Sequence, residues 1–203
     1  MAKNKLVVQF LKWVGGKRQL ISEIKELLPK RRRNLTYYEP FIGGGALLFD
    51  LQPKRAIIND YNEELINVYR IIRDYPYELI EDLKRHENTA EYFYKLRAID
   101  RSPAFSNLTN IQRASRIIYL NKTCYNGLYR VNNAGEFNSP FGKYKNPNIV
   151  NAPVIKAVSK YLKTNDIQIS HGDYESCLNN ISPNSFVYLD PPYHPISDSS
   201  NFT

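Results

Sequence analysis

Tyr37-Tyr38-Glu39-Pro40-Phe41-Ile42-Gly43-Gly44-Gly45-Ala46-Leu47-Leu48-Phe49-Asp50 runs from a short strand through a glycine turn into the start of an apolar helix. Glycines at such a turn accept positive φ and let a ligand come close to the backbone. The loop is not G-x-G-x-x-G, and no G-x-x-x-x-G-K-[ST] phosphate loop occurs in the chain. This points to a nucleoside cofactor without phosphates ahead of a dinucleotide or triphosphate. A second strand, Arg55–Asn59, follows and ends at Asp60. An acid there can accept hydrogen bonds from ribose hydroxyls, or it can cap the helix expected over Tyr61–Arg73. Both uses stay open.

Upstream, Phe10-Leu11-Lys12-Trp13-Val14-Gly15-Gly16-Lys17 places another glycine turn before a helix expected from about Lys17 to Leu28. Trp13 and Lys17 can line a nucleoside pocket, the cation facing a cofactor carboxylate. They can equally be a core tryptophan and a solvated lysine.

Downstream, Ser185–Leu189 reads as a short buried strand leading into Asp190-Pro191-Pro192-Tyr193. The carboxyl end of a strand is where open α/β sheets bind ligands. The amine of adenine is a poor nucleophile because its lone pair is delocalised into the ring. A carboxylate (Asp190) and a backbone carbonyl (Pro191) that accept its hydrogens free that lone pair. Prolines lack an N–H and keep the turn extended. Tyr193 offers a face on which an extruded base can stack. The plainer reading is a proline-rich turn after a strand.

These segments, in this order, resemble the Dam-type (D12 class) adenine-N6 DNA methyltransferases, closest to members that modify GATC. Asn59-Asp60-Tyr61-Asn62, Asn126–Asn132, Glu136–Lys145 and His171-Gly172-Asp173 extend the similarity over essentially the whole chain. The resemblance implies an α/β fold: a Rossmann-like S-adenosylmethionine-dependent sheet, with an inserted, mostly helical DNA-recognition region. Residues 1–65 and 166–203 would form the catalytic and cofactor-binding domain, and 66–165 the target-recognition region. Trp13, Lys17, Phe41, Gly43, Gly44, Gly45, Asp60 and Asp190 match cofactor positions, and Asp173 a contact to the cofactor's adenine. Asp190, Pro191 and Tyr193 match the catalytic positions. Lys12, Tyr125, Asn126, Leu128, Arg130, Asn132 and Pro140 match positions facing double-stranded DNA. Members of the family continue well beyond the Asp190–Tyr193 segment, whereas this chain ends at Thr203. The expectation is a sheet lacking its C-terminal strands, its last strand at an unpaired edge, with a second polypeptide as one source of the missing part. Two other readings follow: an inactive remnant that binds DNA or cofactor without turnover, and a cytosine-N4 methyltransferase, against which Asp in place of Ser at position 190 argues.

Composition is consistent with this picture. The 203 residues fit one domain with an insertion and carry a formal charge of +8, with a pI near 9.3, which favours an anionic partner. Lys30-Arg31-Arg32-Arg33 is the densest basic run, either a DNA contact or a solvated loop. The two cysteines, Cys124 and Cys177, suggest no disulfide framework or metal cluster. Neither follows a proline, as the nucleophile of a cytosine-C5 methyltransferase would. His86, His171 and His194 form no metal spacing. No stretch is apolar enough to span a membrane, and no signal-peptide core is present. The expected compartment is the cytoplasm of a bacterium or of a phage-infected cell, with restriction-modification among the roles that fit.

Between the motifs, Tyr61–Lys163 reads as mostly helical, with Leu65, Tyr69 and Ile72 on one face and Leu108, Ile111, Ser115 and Ile118 on a weaker one. Cys124–Tyr144 breaks into a Gly-, Asn- and aromatic-rich loop. There Arg130 can pair with guanine O6 and N7, Asn126 and Asn132 with base edges or phosphates, and Tyr125 and Leu128 can wedge into the base stack. A loop whose aromatics simply pack on the domain is the alternative.

Overall fold

The computed structural model describes residues 3–13, 15–29, 35–179 and 181–192. Its centre is a parallel sheet of four strands: β1 (Thr36–Glu39), β2 (Arg55–Asp60), β3 (Asp166–His171) and β4 (Ser185–Val187). The order is β3-β2-β1-β4. β1 therefore lies inside the sheet, with Tyr38 opposite Ile57 on one side and Val187 on the other. Among the described residues β4 pairs only with β1 and stands at an edge. Parallel strands need covered faces, and Tyr37, Ala56, Ile58 and Ile167 are accordingly buried beneath helices.

The helices are α1 (Ile21–Leu27), α2 (Ala46–Leu51), α3 (Glu63–Asp74), α4 (Pro76–Leu83), α5 (Ala90–Ala98), α6 (Asn110–Thr123), α7 (Ala152–Thr164) and α8 (Tyr174–Leu178). The helix expected over Lys17–Leu28 is a 3₁₀ turn, Arg18–Leu20, followed by α1. α3 starts at Glu63, two residues later than expected, because the Asn62 side chain caps it, accepting from Leu65 N at 2.9 Å. Leu65, Tyr69 and Ile72 are fully buried, as their spacing predicts. α6 opens with a reciprocal capping box between Thr109 and Gln112. It packs against α3 and α4, and α3 packs against α7 and β3. The main apolar core thus runs from the sheet through α3, α4, α6 and α7. A smaller cluster of Phe93, Tyr119, Leu120, Cys124 and Phe137 sits under the loop that follows α6, and Tyr129 packs against both clusters.

The base of that region is held by a buried ion pair. Arg116 is only 2% exposed. Its guanidinium lies 2.8 Å from Asp100 and donates to the carbonyls of Leu96 and Arg97 at 3.0 and 2.8 Å. Asp100 also accepts from Phe137 N at 2.8 Å. A charge so deeply placed is tolerable only with its hydrogen bonds satisfied.

Candidate active site and nucleic-acid interface

The turn between β1 and α2 is built by backbone geometry that only glycine accepts readily. Gly45 has φ +68°, and a Cβ there would stand 2.6 Å from the hydroxyl of the fully buried Tyr69. Tyr69 in turn donates to Gly43 O at 3.0 Å, pinning the loop from below. Asp60 closes it from the side, accepting from Gly43 N at 2.9 Å and from Asn62 N at 3.0 Å. The helix cap is therefore Asn62, and Asp60 instead joins the end of β2 to the glycine turn. Burial raises the Asp60 carboxyl above its ordinary range, and the N–H donors of Asn62 and Gly43 oppose that rise.

Glu39, at the end of β1, is 3% exposed. The Tyr37 hydroxyl donates to it at 2.8 Å, and the Leu48 N–H in the first turn of α2 does so as well. Burial pushes this carboxyl up to about 8, with the negative charges of Asp190 and Asp60 adding to the effect. Three carboxylates thus converge around the glycine turn.

The N-terminal segment lies against the same turn. A Cβ on Gly43 would be 3.0 Å from Trp13 Cδ1. Lys17 Nζ donates to Gly15 O at 2.8 Å and sits 2.7 Å from Asp190 Oδ1. β4 delivers Asp190 to this place: Tyr188 N bonds Tyr38 O at 2.9 Å, so the chain leaves the sheet beside Glu39 and Pro40. Pro191 is exposed. Tyr193 lies outside the described residues, as does the basic run Lys30–Arg33. Phe41 faces Tyr174 with ring centroids 5.4 Å apart. Asp173 caps α8, accepting from Glu175 N at 2.8 Å, and is exposed beside that ring pair.

The loop after α6 folds back on itself through isolated bridges, Cys124 with Phe141 and Val131 with Phe137. Tyr125 is 58% exposed, and its N–H bonds Pro140 O at 2.8 Å. Asn126 takes a left-handed φ of 56° and is exposed. Leu128 is half-buried and accepts from the Ser139 hydroxyl. Arg130 is exposed, its Nε donating to Asn138 at 2.7 Å. Asn132 has its amide engaged in the turn it opens, accepting from Ala134 N and Glu136 N at 3.0 Å each and donating to Glu136 at 2.7 Å. Lys12, Lys122, Tyr144 and Asn146 line a cleft of about 230 Å³ at the foot of the loop. Burial and the charge of Lys12 lower the Lys122 ammonium below its ordinary value.

Two residues that the sequence does not single out hold these parts together. Asn121, 2% exposed at the end of α6, accepts from Lys12 N at 3.0 Å and donates to Lys12 O at 2.8 Å and Gly127 O at 3.0 Å. Tyr129 stacks on Trp13 with centroids 4.5 Å apart. The periodicity of α6 gives no sign of Asn121, because an amide there looks like an ordinary solvated position. Among the described residues no group of three His, Cys, Asp or Glu could hold a metal ion, and no helix is long and apolar enough to cross a membrane.

The sequence model of the family described as D12 class N6 adenine-specific DNA methyltransferase matches residues 13–203. The type II methyltransferase M1.LlaDCHI of Lactococcus lactis subsp. cremoris is 47% identical, covering 100% of this chain and 72% of the relative. The type II methyltransferase M.MjaIII of Methanocaldococcus jannaschii is 43% identical over 97% of the chain and 73% of its own length. The DNA adenine methylase of Escherichia coli (strain K12) is 35% identical over 100% of the chain and 70% of its own length.

Proposed function

Because the chain belongs to the D12 class of N6 adenine-specific DNA methyltransferases, it is an adenine-N6 DNA methyltransferase, and we propose that it takes its methyl group from S-adenosylmethionine and acts within GATC. The observation that carries the reading is the 2.7 Å contact between Lys17 and Asp190. It unites the first glycine segment with the Asp190–Tyr193 motif beside the glycine turn. The donor set suits a cationic nucleoside without phosphates: the carboxyls of Asp60 and Asp190 lie at the turn, and no phosphate loop is present. When bound, the cofactor supplies an electrophilic methyl carbon on sulfur.

In this reading Trp13, Phe41, Gly43, Gly44 and Gly45 line the nucleoside site. Asp60 accepts from ribose hydroxyls, Asp173 from the cofactor's adenine, and Lys17 faces its carboxylate. Asp190 and the Pro191 carbonyl accept the hydrogens of the target amine, so that its nitrogen lone pair points outward. Tyr193 stacks on the everted base, whose extrusion costs a few kcal/mol. No covalent enzyme intermediate is needed, so positioning and fixed charge supply the rate. Residues 1–65 and 166–203 serve the cofactor, and 66–165 the DNA. Lys12, Tyr125, Asn126, Leu128, Arg130 and Pro140 face the duplex, with Asn132 holding the loop's turn. The exposed Arg130 and Asn126 support base reading, and the net positive charge supports backbone contacts. Among the described residues the outer side of β4 is unpaired, and a further strand can add there. The setting proposed is bacterial or phage-infected cytoplasm, within restriction-modification or a related use.

The test is transfer of labelled methyl from S-adenosylmethionine to a duplex with one GATC site, followed by digestion and mass spectrometry. N6-methyladenine is expected, with Asp190→Ala abolishing incorporation while duplex affinity persists. Label on cytosine, or near-normal turnover by Asp190→Ala, would overturn the reading.

A further inference from the structure

Asn121 uses its whole amide on two segments, the one that leads from Lys12 into the proposed cofactor residues Trp13 and Lys17, and the turn around Gly127 that is proposed to face the duplex. Its oxygen and one N–H clamp both backbone groups of Lys12, at the head of the segment that carries Trp13 and Lys17. The other N–H holds Gly127 O, in the turn between Asn126 and Leu128. Gly127 has φ +65°, and a Cβ there would meet Lys12 Cδ at 2.6 Å, so the two segments already touch. A few residues on, Tyr129 lies face to face with Trp13 at an interplanar angle of 20°, while Trp13 rests on Gly43. A continuous contact path therefore runs from the glycine turn through Trp13 and Tyr129 to the exposed loop. Asn121 fastens it at a second point.

We propose that Asn121, with the Trp13–Tyr129 stack, is a positioning element that makes the cofactor segment and the DNA-facing turn move as one body, so that each ligand strengthens the binding of the other. The inference rests on the function proposed above. A ligand that orders one segment also orders the other, and the second ligand meets a site whose ordering cost has already been met. Linkage then requires the effect to be reciprocal. A buried amide with all its bonds made carries this better than a surface contact, because any independent movement of either segment strands a polar group away from water.

Trp13 is the chain's single tryptophan, so its emission reports on the junction directly. The experiment measures the dissociation constant of S-adenosylhomocysteine, the cofactor without its reactive methyl, by calorimetry, without and with a saturating GATC duplex, and the Trp13 emission when duplex alone is added. For the unaltered chain we expect cofactor affinity to rise about tenfold with duplex present, and the emission to shift on duplex binding. Asn121→Ala and Tyr129→Leu should each bring that ratio to within about twofold of one and blunt the emission change. Tyr129→Phe, which keeps the ring, should retain both. A simple loss of stability weakens both measurements of a variant alike and leaves the ratio in place, so the ratio separates coupling from folding. Both ligands binding with an unaltered ratio in Asn121→Ala and Tyr129→Leu would overturn the proposal and leave the function standing. Failure of the unaltered chain to bind either ligand would overturn both.

Discussion

Lys17 Nζ and Asp190 Oδ1 are 2.7 Å apart although the residues come from opposite ends of the chain. Their side chains are only 16% and 22% exposed, so the pair is largely withdrawn from solvent and each charge relies on the other. Its use is geometric: the ammonium fixes which way the carboxylate faces. Lys17→Met should lower kcat/KM for S-adenosylmethionine by about 10- to 100-fold and keep duplex affinity within about twofold. Steady-state methylation beside duplex anisotropy checks this; equal losses in both would place Lys17 on the DNA.

Glu39 predicts a pH dependence. Its carboxyl is pushed from an ordinary 4.5 up to about 8 by burial. Between those values the folded chain holds a proton that the unfolded chain has released, so stability falls as pH rises. The contribution is fully present below the lower value and lost as pH climbs through the upper one, at about 1.4 kcal/mol per pH unit for one proton. Glu39→Gln can still accept from Tyr37 and Leu48 and carries no titrating group. Urea unfolding from pH 5 to 8 should give the variant a flatter profile, by about 1 kcal/mol per unit. Parallel profiles would mean that Glu39 is already ionised in the native state.

At Gly45 two costs add. Alanine would sit at φ +68° with its Cβ 2.6 Å from Tyr69 Oη and 2.9 Å from Phe49 Cε2, and both rings are buried. Left-handed strain and overpacking together should cost about 2–4 kcal/mol. A shift below about 0.5 kcal/mol in chemical denaturation would show that the turn relaxes freely.

Arg130 is exposed, and among the described residues its side chain is held by Asn138 through Nε. If it reads a guanine, Arg130→Ala should relax discrimination at one base pair by about 1–3 kcal/mol. Loss of a phosphate contact would instead weaken all sequences alike and reduce the salt slope by about one. Competitive methylation of single-substitution duplexes at two salt concentrations separates these outcomes.

Most of the fold was legible because its signals are local. The strand, glycine turn and helix around Tyr37–Asp50 follow from β-propensity, glycine placement and burial pattern; the strand before Asp190 follows from β-propensity alone, because the buried run expected over Ser185–Leu189 is a half-buried edge strand, Ser185–Val187, with Leu189 54% exposed. Boundaries slipped where a neighbour competed: Asn62 took the cap that Asp60 was expected to share, since Asp60 is occupied by Gly43. Asn121 and Tyr129 were not legible. Their importance comes from partners more than a hundred residues away in Lys12 and Trp13, and nothing in their own surroundings marks it. Glu39 stood in plain view within a quoted motif, yet only its burial shows what sets it apart.

The pairing of Thr36 with Ser185 brings together strands about 150 residues apart in sequence. A ribosome releases β1 long before its β4 neighbour exists, and even β3 follows β2 by about a hundred residues. During that interval β1 must wait with one flank open, which favours slow maturation and exposure to aggregation. Growth temperature and chaperone supply during expression should therefore govern the yield of active protein.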